Sequence, residues 1–169
     1  VGCGMISNIY LKNLTNLFSI TDVIGVCDLN RQAAEEKAVQ YGSEKVYTLE
    51  EVCAAKEVEL AVNLTAPSAH YSVIRQLLLA GKNVYTEKLL CFDLEQGREL
   101  VGLAEEKGLY LGSAPDTFLG AGLQTARKII DCGLIGDVVS CIAAVNRNQP
   151  MNSEVFRAIR SEGGSFPYD

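Results

Sequence analysis

Short apolar runs that alternate with helical segments constrain this sequence more than any other feature. The runs are too short for helices and are bounded by polar or turn residues, which is typical of buried strands; they lie at residues 23–27, 46–48, 60–64, 83–86 and 109–111. The segments between them have helical spacing or composition, at residues 6–18, 31–41, 49–56, 69–80 and 93–107. Helices of crossover length connect parallel strands. The alternation therefore predicts an α/β fold with a doubly wound parallel sheet.

Polar residues follow the predicted strands at the positions where such a sheet binds ligands. Asp28 ends the first run, residues 65–70 follow the third, and Glu87 and Lys88 follow the fourth. Because the carboxyl ends of parallel strands share one edge of the sheet, we expect these groups to lie together there.

A Gly-x-Gly-x-x-Ser pattern opens the chain and runs directly into the first helical segment. Gly2 would allow a tight strand-to-helix turn, Gly4 would let a pyrophosphate approach the backbone, and the small Ser7 would let the helix pack closely. Backbone N–H groups at the start of the helix, around Met5 and Ile6, would bind the anion. Short glycine patterns also occur in ordinary loops, so the turn alone leaves both interpretations open.

Asp28 supports the dinucleotide interpretation of the turn. It lies 24 residues after Gly4, at the end of the second strand of such a fold, where a carboxylate accepts hydrogen bonds from the adenosine ribose. A carboxylate there repels a 2′-phosphate, which favours NAD over NADP. Arg31 keeps NADP open, because a guanidinium could pair with that phosphate. The alternative role of Asp28 is that of a turn residue.

Lys88 is the main catalytic candidate. At the end of a strand beside a nicotinamide, it would hydrogen-bond a substrate hydroxyl or carbonyl and help to move its proton. Glu87 would bind the nicotinamide ribose or orient the lysine. The alternative is a solvated charge pair at a strand end. His70, at a helix start, either approaches the nicotinamide half or packs at the helix terminus.

Composition excludes several classes of function. The net charge of −6 and the pI near 4.9 argue against a nucleic-acid or anionic-membrane partner, and no apolar run is long enough to span a bilayer. The six cysteines are scattered without a Cys-x-x-Cys pair, and there is one histidine. We therefore expect no disulfide framework, no metal site and a cytoplasmic location.

The pattern changes near residue 115. Asp116 or Thr117 would cap a helix at residues 118–132, and residues 138–145 would form a longer strand with no crossover helix after it. We expect residues 1–114 to form a nucleotide-binding domain whose first strand is largely missing, and residues 115–169 to begin a C-terminal α+β domain.

Four motifs in order resemble the Gfo/Idh/MocA family of NAD(P)-dependent oxidoreductases, along essentially the whole chain. They are the glycine turn (residues 2–7), an acidic strand end (residues 26–30), Thr-x-Pro-x-x-His (residues 65–70) and Ala-Gly-Lys-x-Val-x-x-Glu-Lys (residues 80–88). The last is the most specific. The resemblance implies a dinucleotide-binding (Rossmann) domain followed by a substrate domain.

The resemblance also implies roles for individual residues. Lys88 corresponds to the family's catalytic lysine, and Glu87 to a residue that helps to hold the nicotinamide ribose. Thr65, Pro67 and His70 correspond to a cofactor-binding stretch of the family.

Two further positions bear on the resemblance: one departs from the family pattern, and the other lies at the end of the chain. The proline that follows the family's Glu-Lys pair is Leu89 here, so we expect a trans Lys88–Leu89 peptide. Residues 163–169 resemble the start of a Gly-Gly-x(4)-Asp segment, in which Asp169 would lie near the substrate and assist Lys88.

These observations predict a hydride transfer between NAD, or NADP, and a secondary alcohol or carbonyl of a sugar, inositol or dihydrodiol-like substrate. The intact protein is expected to be a homo-oligomer. We expect further strands before Val1 and after Asp169, so that residues 1–169 alone would be unstable, aggregated or inactive. The alternatives are a nucleotide-binding regulatory or sensor module without turnover, and a doubly wound domain that binds no dinucleotide.

Overall fold

The computed structural model describes residues 1–115 and 117–144, and within them the predicted alternation is confirmed. The strands are β1 (Gly25–Cys27), β2 (Lys45–Tyr47), β3 (Leu60–Asn63), β4 (Asn83–Thr86) and β5 (Leu111–Ser113). The helices are α1 (Ser7–Asn16), α2 (Arg31–Tyr41), α3 (Leu49–Ala54), α4 (Pro67–Leu79), α5 (Leu94–Lys107) and α6 (Ala121–Asp131).

All strand pairs are parallel, as expected for strands joined by helices. Strand β1 pairs with β2, and β3, β4 and β5 form a second ladder in that order. Val1 and Gly2 lie between the two ladders: the Gly2 N–H donates to the Cys27 carbonyl at 2.8 Å, and the Leu64 N–H donates to the Val1 carbonyl at 2.7 Å. A cleft of about 550 Å³ extends from this point between β1 and β3.

Helices cover both faces of the sheet, which is why its strands are rich in apolar residues. On one face, Val26 packs in a cluster with Leu11 of α1 and Ala34 and Ala38 of α2. On the other face, the neighbouring Cys27 belongs to a larger cluster with residues from α3, α4 and α5 that include Val52, Ile74, Leu77 and Leu100. Alternation of side chains along β1 thus serves two separate cores.

Local capping explains where the helices begin and end. Asn30 caps α2 and Asp93 caps α5 by accepting backbone N–H bonds, and Thr48 and Glu51 form a reciprocal capping box on α3. Gly42 ends α2 and Gly108 ends α5 in the left-handed conformation. The last two boundaries match the sequence predictions.

Two expectations for the segment after residue 115 are wrong. Helix α6 has Gly120 as its N-cap, without a side-chain cap, because Thr117 belongs to a short 3-10 turn that precedes it. Residues 138–144, the described part of the predicted strand, are not a strand. Val139 and Ile142 are almost fully exposed, and within the described residues no neighbouring strand supplies a hydrogen-bonding ladder. The division of the chain at residue 114 stays a prediction.

The first predicted helix is confirmed as α1, but most of the apolar residues in and around it are exposed. Ile6, Ile9, Leu17 and Phe18 are exposed, whereas Leu11 is buried. Tyr10 and Leu14 line the cleft between β1 and β3, so α1 lies across that cleft. In the described residues, no helix is long and apolar enough to cross a membrane.

Candidate functional site

Gly2 occupies a position that other residues could enter only with strain. Its φ is +92°, and a Cβ added there would lie 2.5 Å from the Leu64 carbonyl carbon and 2.7 Å from the Thr65 nitrogen. The absence of a side chain therefore lets the turn after Val1 lie directly against the end of β3. This contact brings the glycine turn and the Thr65 loop to the same edge of the sheet.

Gly4 is in a different situation, because it faces open space. A Cβ there would meet no atom within 4 Å. Among the described residues, the N–H groups of Gly4, Met5 and Ile6 have no hydrogen-bond acceptor, and no side chain caps the start of α1. Unpaired N–H groups at the positive end of a helix, next to a position without a side chain, form the arrangement that binds a phosphate.

Ser7 is buried at the base of the turn. Its hydroxyl donates to the Gly4 carbonyl at 2.6 Å, and its side chain is only 1% exposed. A small residue at this position allows the close packing of helix and sheet that the sequence pattern predicts.

Asp28 is bound to the glycine turn. One carboxylate oxygen accepts the Cys3 backbone N–H at 2.6 Å, and the other accepts the Asn30 N–H at 2.7 Å. The first bond joins the turn predicted to bind the pyrophosphate to the strand end predicted to bind the adenosine ribose. The second is a turn bond, so Asp28 has the alternative role of a turn residue, and its role at the adenosine ribose stays a prediction.

Arg31 lies on the first turn of α2 and pairs with Glu35 at 3.0 Å, with both side chains well exposed. An exposed ion pair of this kind is weak, so the guanidinium could exchange this partner for a phosphate at little cost. The geometry leaves NADP open.

Asn63 was not predicted from sequence as a site residue, although it organises the Thr65 loop. It is fully buried, its amide nitrogen donates to the Thr86 hydroxyl at 3.0 Å, and its amide oxygen accepts the Thr65 hydroxyl at 2.8 Å. Asn63 and Thr86 are register partners on β3 and β4. The sequence signal that could have identified Asn63 is a polar residue at the end of a buried strand.

His70 is fully buried at the start of α4, where Pro67 occupies the first turn. Its ring nitrogens lie 2.6 Å from the Leu89 carbonyl oxygen and 2.9 Å from the Thr65 carbonyl oxygen. Both nitrogens are therefore engaged by the backbone. Of the two roles considered for His70, the geometry favours packing, in which the ring joins the Thr65 loop to the segment after Lys88.

Glu87 and Lys88 lie at the carboxyl end of β4, beside the glycine-turn helix. The Glu87 N–H donates to the Asn63 carbonyl at 2.9 Å, and the Lys88 N–H donates to one Glu87 carboxylate oxygen at 3.0 Å. The other carboxylate oxygen accepts the Tyr10 hydroxyl at 2.7 Å. Burial, followed by the bond to Glu87, raises the pKa of Tyr10, so the phenol remains a donor.

The expectation of a trans Lys88–Leu89 peptide is wrong, because this peptide is cis. The intrinsic trans preference of a non-proline peptide takes no account of tertiary contacts. Here the Leu89 carbonyl meets the buried His70 ring, and the Glu87 carboxylate meets the Lys88 N–H, on either side of the bond. These contacts lie on both sides of a peptide that is cis although residue 89 is a leucine.

Lys82, which belongs to the most specific sequence motif, has a structural place. It is buried, and its amino group donates to the carbonyl of Ala55, the C-cap of α3. A cation at the C-terminal end of a helix is electrostatically favourable. This member of the motif stabilises the fold, whereas Glu87 and Lys88 lie at the carboxyl edge of the sheet.

The residues of the turn fit a dinucleotide. The open space at Gly4, the N–H groups without acceptors and the carboxylate of Asp28 match a pyrophosphate and an adjacent ribose. No cluster of metal-binding side chains occurs in residues 1–115 and 117–144. Asp169 lies outside the described residues, so its predicted position near the substrate stays a prediction.

Known proteins resemble this chain in sequence. The chain is 30% identical over its whole length to an uncharacterised oxidoreductase of Schizosaccharomyces pombe, of which it covers 47%. Over 82% of the chain it is 32% identical to trans-1,2-dihydrobenzene-1,2-diol dehydrogenase of Mus musculus, of which it covers 42%. The chain thus spans less than half the length of these two relatives.

Solved structures have the same fold. GenD2 from gentamicin A biosynthesis, solved in complex with NAD, aligns with a TM-score of 0.74 at 25% identity, over 79% of this chain and 38% of GenD2. The family model described as an oxidoreductase family with an NAD-binding Rossmann fold matches residues 1–114. With the glycine turn, the acidic strand end and the Glu-Lys edge together in space, the chain belongs to the Gfo/Idh/MocA family of oxidoreductases.

Proposed function

We propose that the intact protein is an NAD-dependent dehydrogenase or reductase that acts on a secondary alcohol, or its carbonyl, in a sugar or polyol. The observation that carries this proposal is the 2.7 Å bond between Tyr10 of the glycine-turn helix and Glu87, next to Lys88. It holds the helix whose N-terminus would bind the pyrophosphate next to the strand end that carries Lys88, which would transfer the proton. The similarity to a dihydrodiol dehydrogenase supports a vicinal diol or polyol substrate.

The chain's residues divide the binding of the cofactor among them. The N–H groups of Gly4, Met5 and Ile6 would hold the pyrophosphate, Asp28 would hold the adenosine ribose, and Glu87 would hold the nicotinamide ribose. The bound nicotinamide supplies a hydride acceptor or donor. The negative charge of Asp28, fixed towards the turn, favours NAD, while NADP stays open through Arg31.

Lys88 would transfer the proton. In the oxidation, the substrate carbon loses a hydride and the Lys88 amine takes the proton of the hydroxyl, so a carbonyl remains. In the reduction, the Lys88 ammonium gives that proton to the developing alkoxide oxygen. We place Asp169 in this step as an assisting residue near the substrate, as its resemblance to the family implies.

The test is turnover by the intact protein with a panel of cyclic polyols, sugars and vicinal diols, followed by the absorbance of the reduced nicotinamide. Lys88→Met, which keeps the length of the side chain and removes its charge, should lower kcat by at least about 100-fold. NADH affinity should change little. Lys56→Met, an exposed lysine after α3, is the matched control and should retain activity.

Turnover retained in Lys88→Met would overturn the assignment of the lysine. Tight binding of NADH without turnover on any member of the panel would instead favour a nucleotide-binding sensor or regulatory module. The absence of dinucleotide binding by the wild-type protein would overturn both functions. A cytoplasmic location and a homo-oligomeric state remain predictions for the intact protein.

A further inference from the structure

Tyr10 lies in the cofactor-binding part of the chain without belonging to any of the motifs. It is on the second turn of α1, 77 positions before Glu87, and its hydroxyl donates to the Glu87 carboxylate at 2.7 Å. Its ring lies against that of Tyr85, with centroids 6.3 Å apart. Two contacts, one polar and one aromatic, thus fix the phenol on strand β4 next to the ligand edge.

The Glu87 carboxylate needs such a partner to keep one orientation. It is partly exposed at the end of a strand, where a glutamate side chain has several accessible rotamers. The Lys88 N–H holds one oxygen from the C-terminal side, and Tyr10 holds the other from the facing helix. With both oxygens held, the lone pairs that remain have a fixed direction.

We propose that Tyr10 is a positioning residue that orients Glu87 to accept the hydroxyls of the nicotinamide ribose. The inference rests on the proposed dinucleotide function and assigns to α1 a second role, beyond its phosphate-binding N-terminus. One helix would then position two parts of the dinucleotide: its first turn would bind the pyrophosphate, and its second turn would fix the group that holds the nicotinamide ribose.

Protonation does not limit this role in the physiological range. Burial and the neighbouring carboxylate raise the pKa of Tyr10, which keeps the hydroxyl protonated as the donor. The phenol therefore stays available as the donor, and a hydrogen bond from a hydroxyl to a carboxylate is among the stronger hydrogen bonds.

The test compares two ligands that differ in whether they contain the nicotinamide ribose. Tyr10→Phe retains the ring against Tyr85 and removes only the hydroxyl. In the intact protein we expect NADH affinity, measured by titration calorimetry, to fall about five- to tenfold. ADP contains the adenosine and the diphosphate but no nicotinamide ribose, so its affinity should stay within about twofold of wild type.

Tyr71→Phe is a matched control, because Tyr71 makes the same kind of bond to a glutamate, Glu99, on the surface formed by α4 and α5. It should change neither affinity. The effect of Tyr10→Phe on the logarithm of the NADH affinity should also be measured in a Glu87→Gln protein. It should be less than half of the effect in the wild-type protein, because the two groups act as a unit.

Each remaining outcome overturns the inference in a distinguishable way. Equal losses of NADH and ADP affinity in Tyr10→Phe would show a merely structural role of the tyrosine. Unchanged affinity for both would show no role. Failure of the wild-type protein to bind either ligand would overturn the proposed function itself, and with it the role of Tyr10.

Discussion

The backbone N–H of Cys3 donates a 2.6 Å hydrogen bond to the carboxylate of Asp28, across 25 positions of the chain. This bond ties the glycine turn to the end of β1 and leaves the carboxylate charge directed at the turn. A cofactor with a 2′-phosphate bound there would meet a fixed negative charge, which disfavours NADP relative to NAD.

Asp28→Asn should therefore change cofactor preference. The amide keeps one acceptor oxygen, so it can serve only one of the Cys3 and Asn30 N–H groups, and it removes the charge that repels a 2′-phosphate. We expect NADH affinity to fall about tenfold and the ratio of NADPH to NADH affinity to rise. Binding titrations with both cofactors measure this ratio. Asp22→Asn, an exposed aspartate before β1, is the control, and an unchanged ratio in Asp28→Asn would contradict the assignment.

Gly2 and Gly4 should respond differently to the same substitution. Gly2→Ala places a methyl group within 2.5 Å of the Leu64 backbone at a positive φ, so the free energy of unfolding should fall by about 2–4 kcal/mol. Gly4→Ala adds a methyl group to open space and should change stability by less than about 0.5 kcal/mol.

The effect of Gly4→Ala should instead be on binding, because its methyl group occupies the space proposed for the pyrophosphate. Chemical denaturation and NADH titration of the same two variants separate these effects. A Gly4→Ala protein that binds NADH as well as wild type would exclude the turn as the phosphate site.

His70→Phe should affect stability first. It fills a similar volume but leaves the carbonyls of Leu89 and Thr65 without their ring partner, at a cost of about 2–4 kcal/mol in the free energy of unfolding. Ser72→Ala, an exposed residue on the same helix, should cost less than about 0.5 kcal/mol. Chemical denaturation of the two variants measures these changes in stability. If His70→Phe were as stable as wild type but bound NADH more weakly, the ring would instead have a direct role in cofactor binding.

Acid should weaken the contact between β2 and the segment before β3. The hydrogen bond from Lys45, with smaller contributions that include the Tyr47 hydroxyl, lowers the pKa of Glu57 to about 2. A depressed carboxylate pKa contributes stability that is present above the unfolded-state value and is lost as the pH falls towards 2.

Wild type should therefore lose more stability than Glu57→Gln between about pH 6 and about pH 3, as measured by urea midpoints. The effect should be small, since the Lys45–Glu57 pair is exposed and water screens it. Equal losses in the two proteins would show that the pair does not contribute.

The alternation of elements was predictable because its signals are local. Short strands of three or four residues and helices of six to fourteen leave different apolar patterns. Residues such as Gly42, Asp93 and Gly108 mark helix boundaries through local backbone or capping preferences. The predicted strand at residues 138–145 failed for the converse reason. An apolar run becomes a strand only if a neighbour supplies the ladder, and sequence pattern does not show that neighbour.

The sequence by itself determined the α/β fold, the glycine turn and the positions of Asp28, Glu87 and Lys88 at strand ends, because spacing and strand direction are encoded over a few residues. Only the tertiary structure decided that both ring nitrogens of His70 lie against carbonyl oxygens and that the Lys88–Leu89 peptide is cis. It also decided that the Tyr10 hydroxyl donates to the Glu87 carboxylate. Two of the contacts involved, His70 with Leu89 and Tyr10 with Glu87, join residues 19 and 77 positions apart. Such contacts exist only after the helices and strands have packed, and no local periodicity records which distant partner a polar side chain will meet.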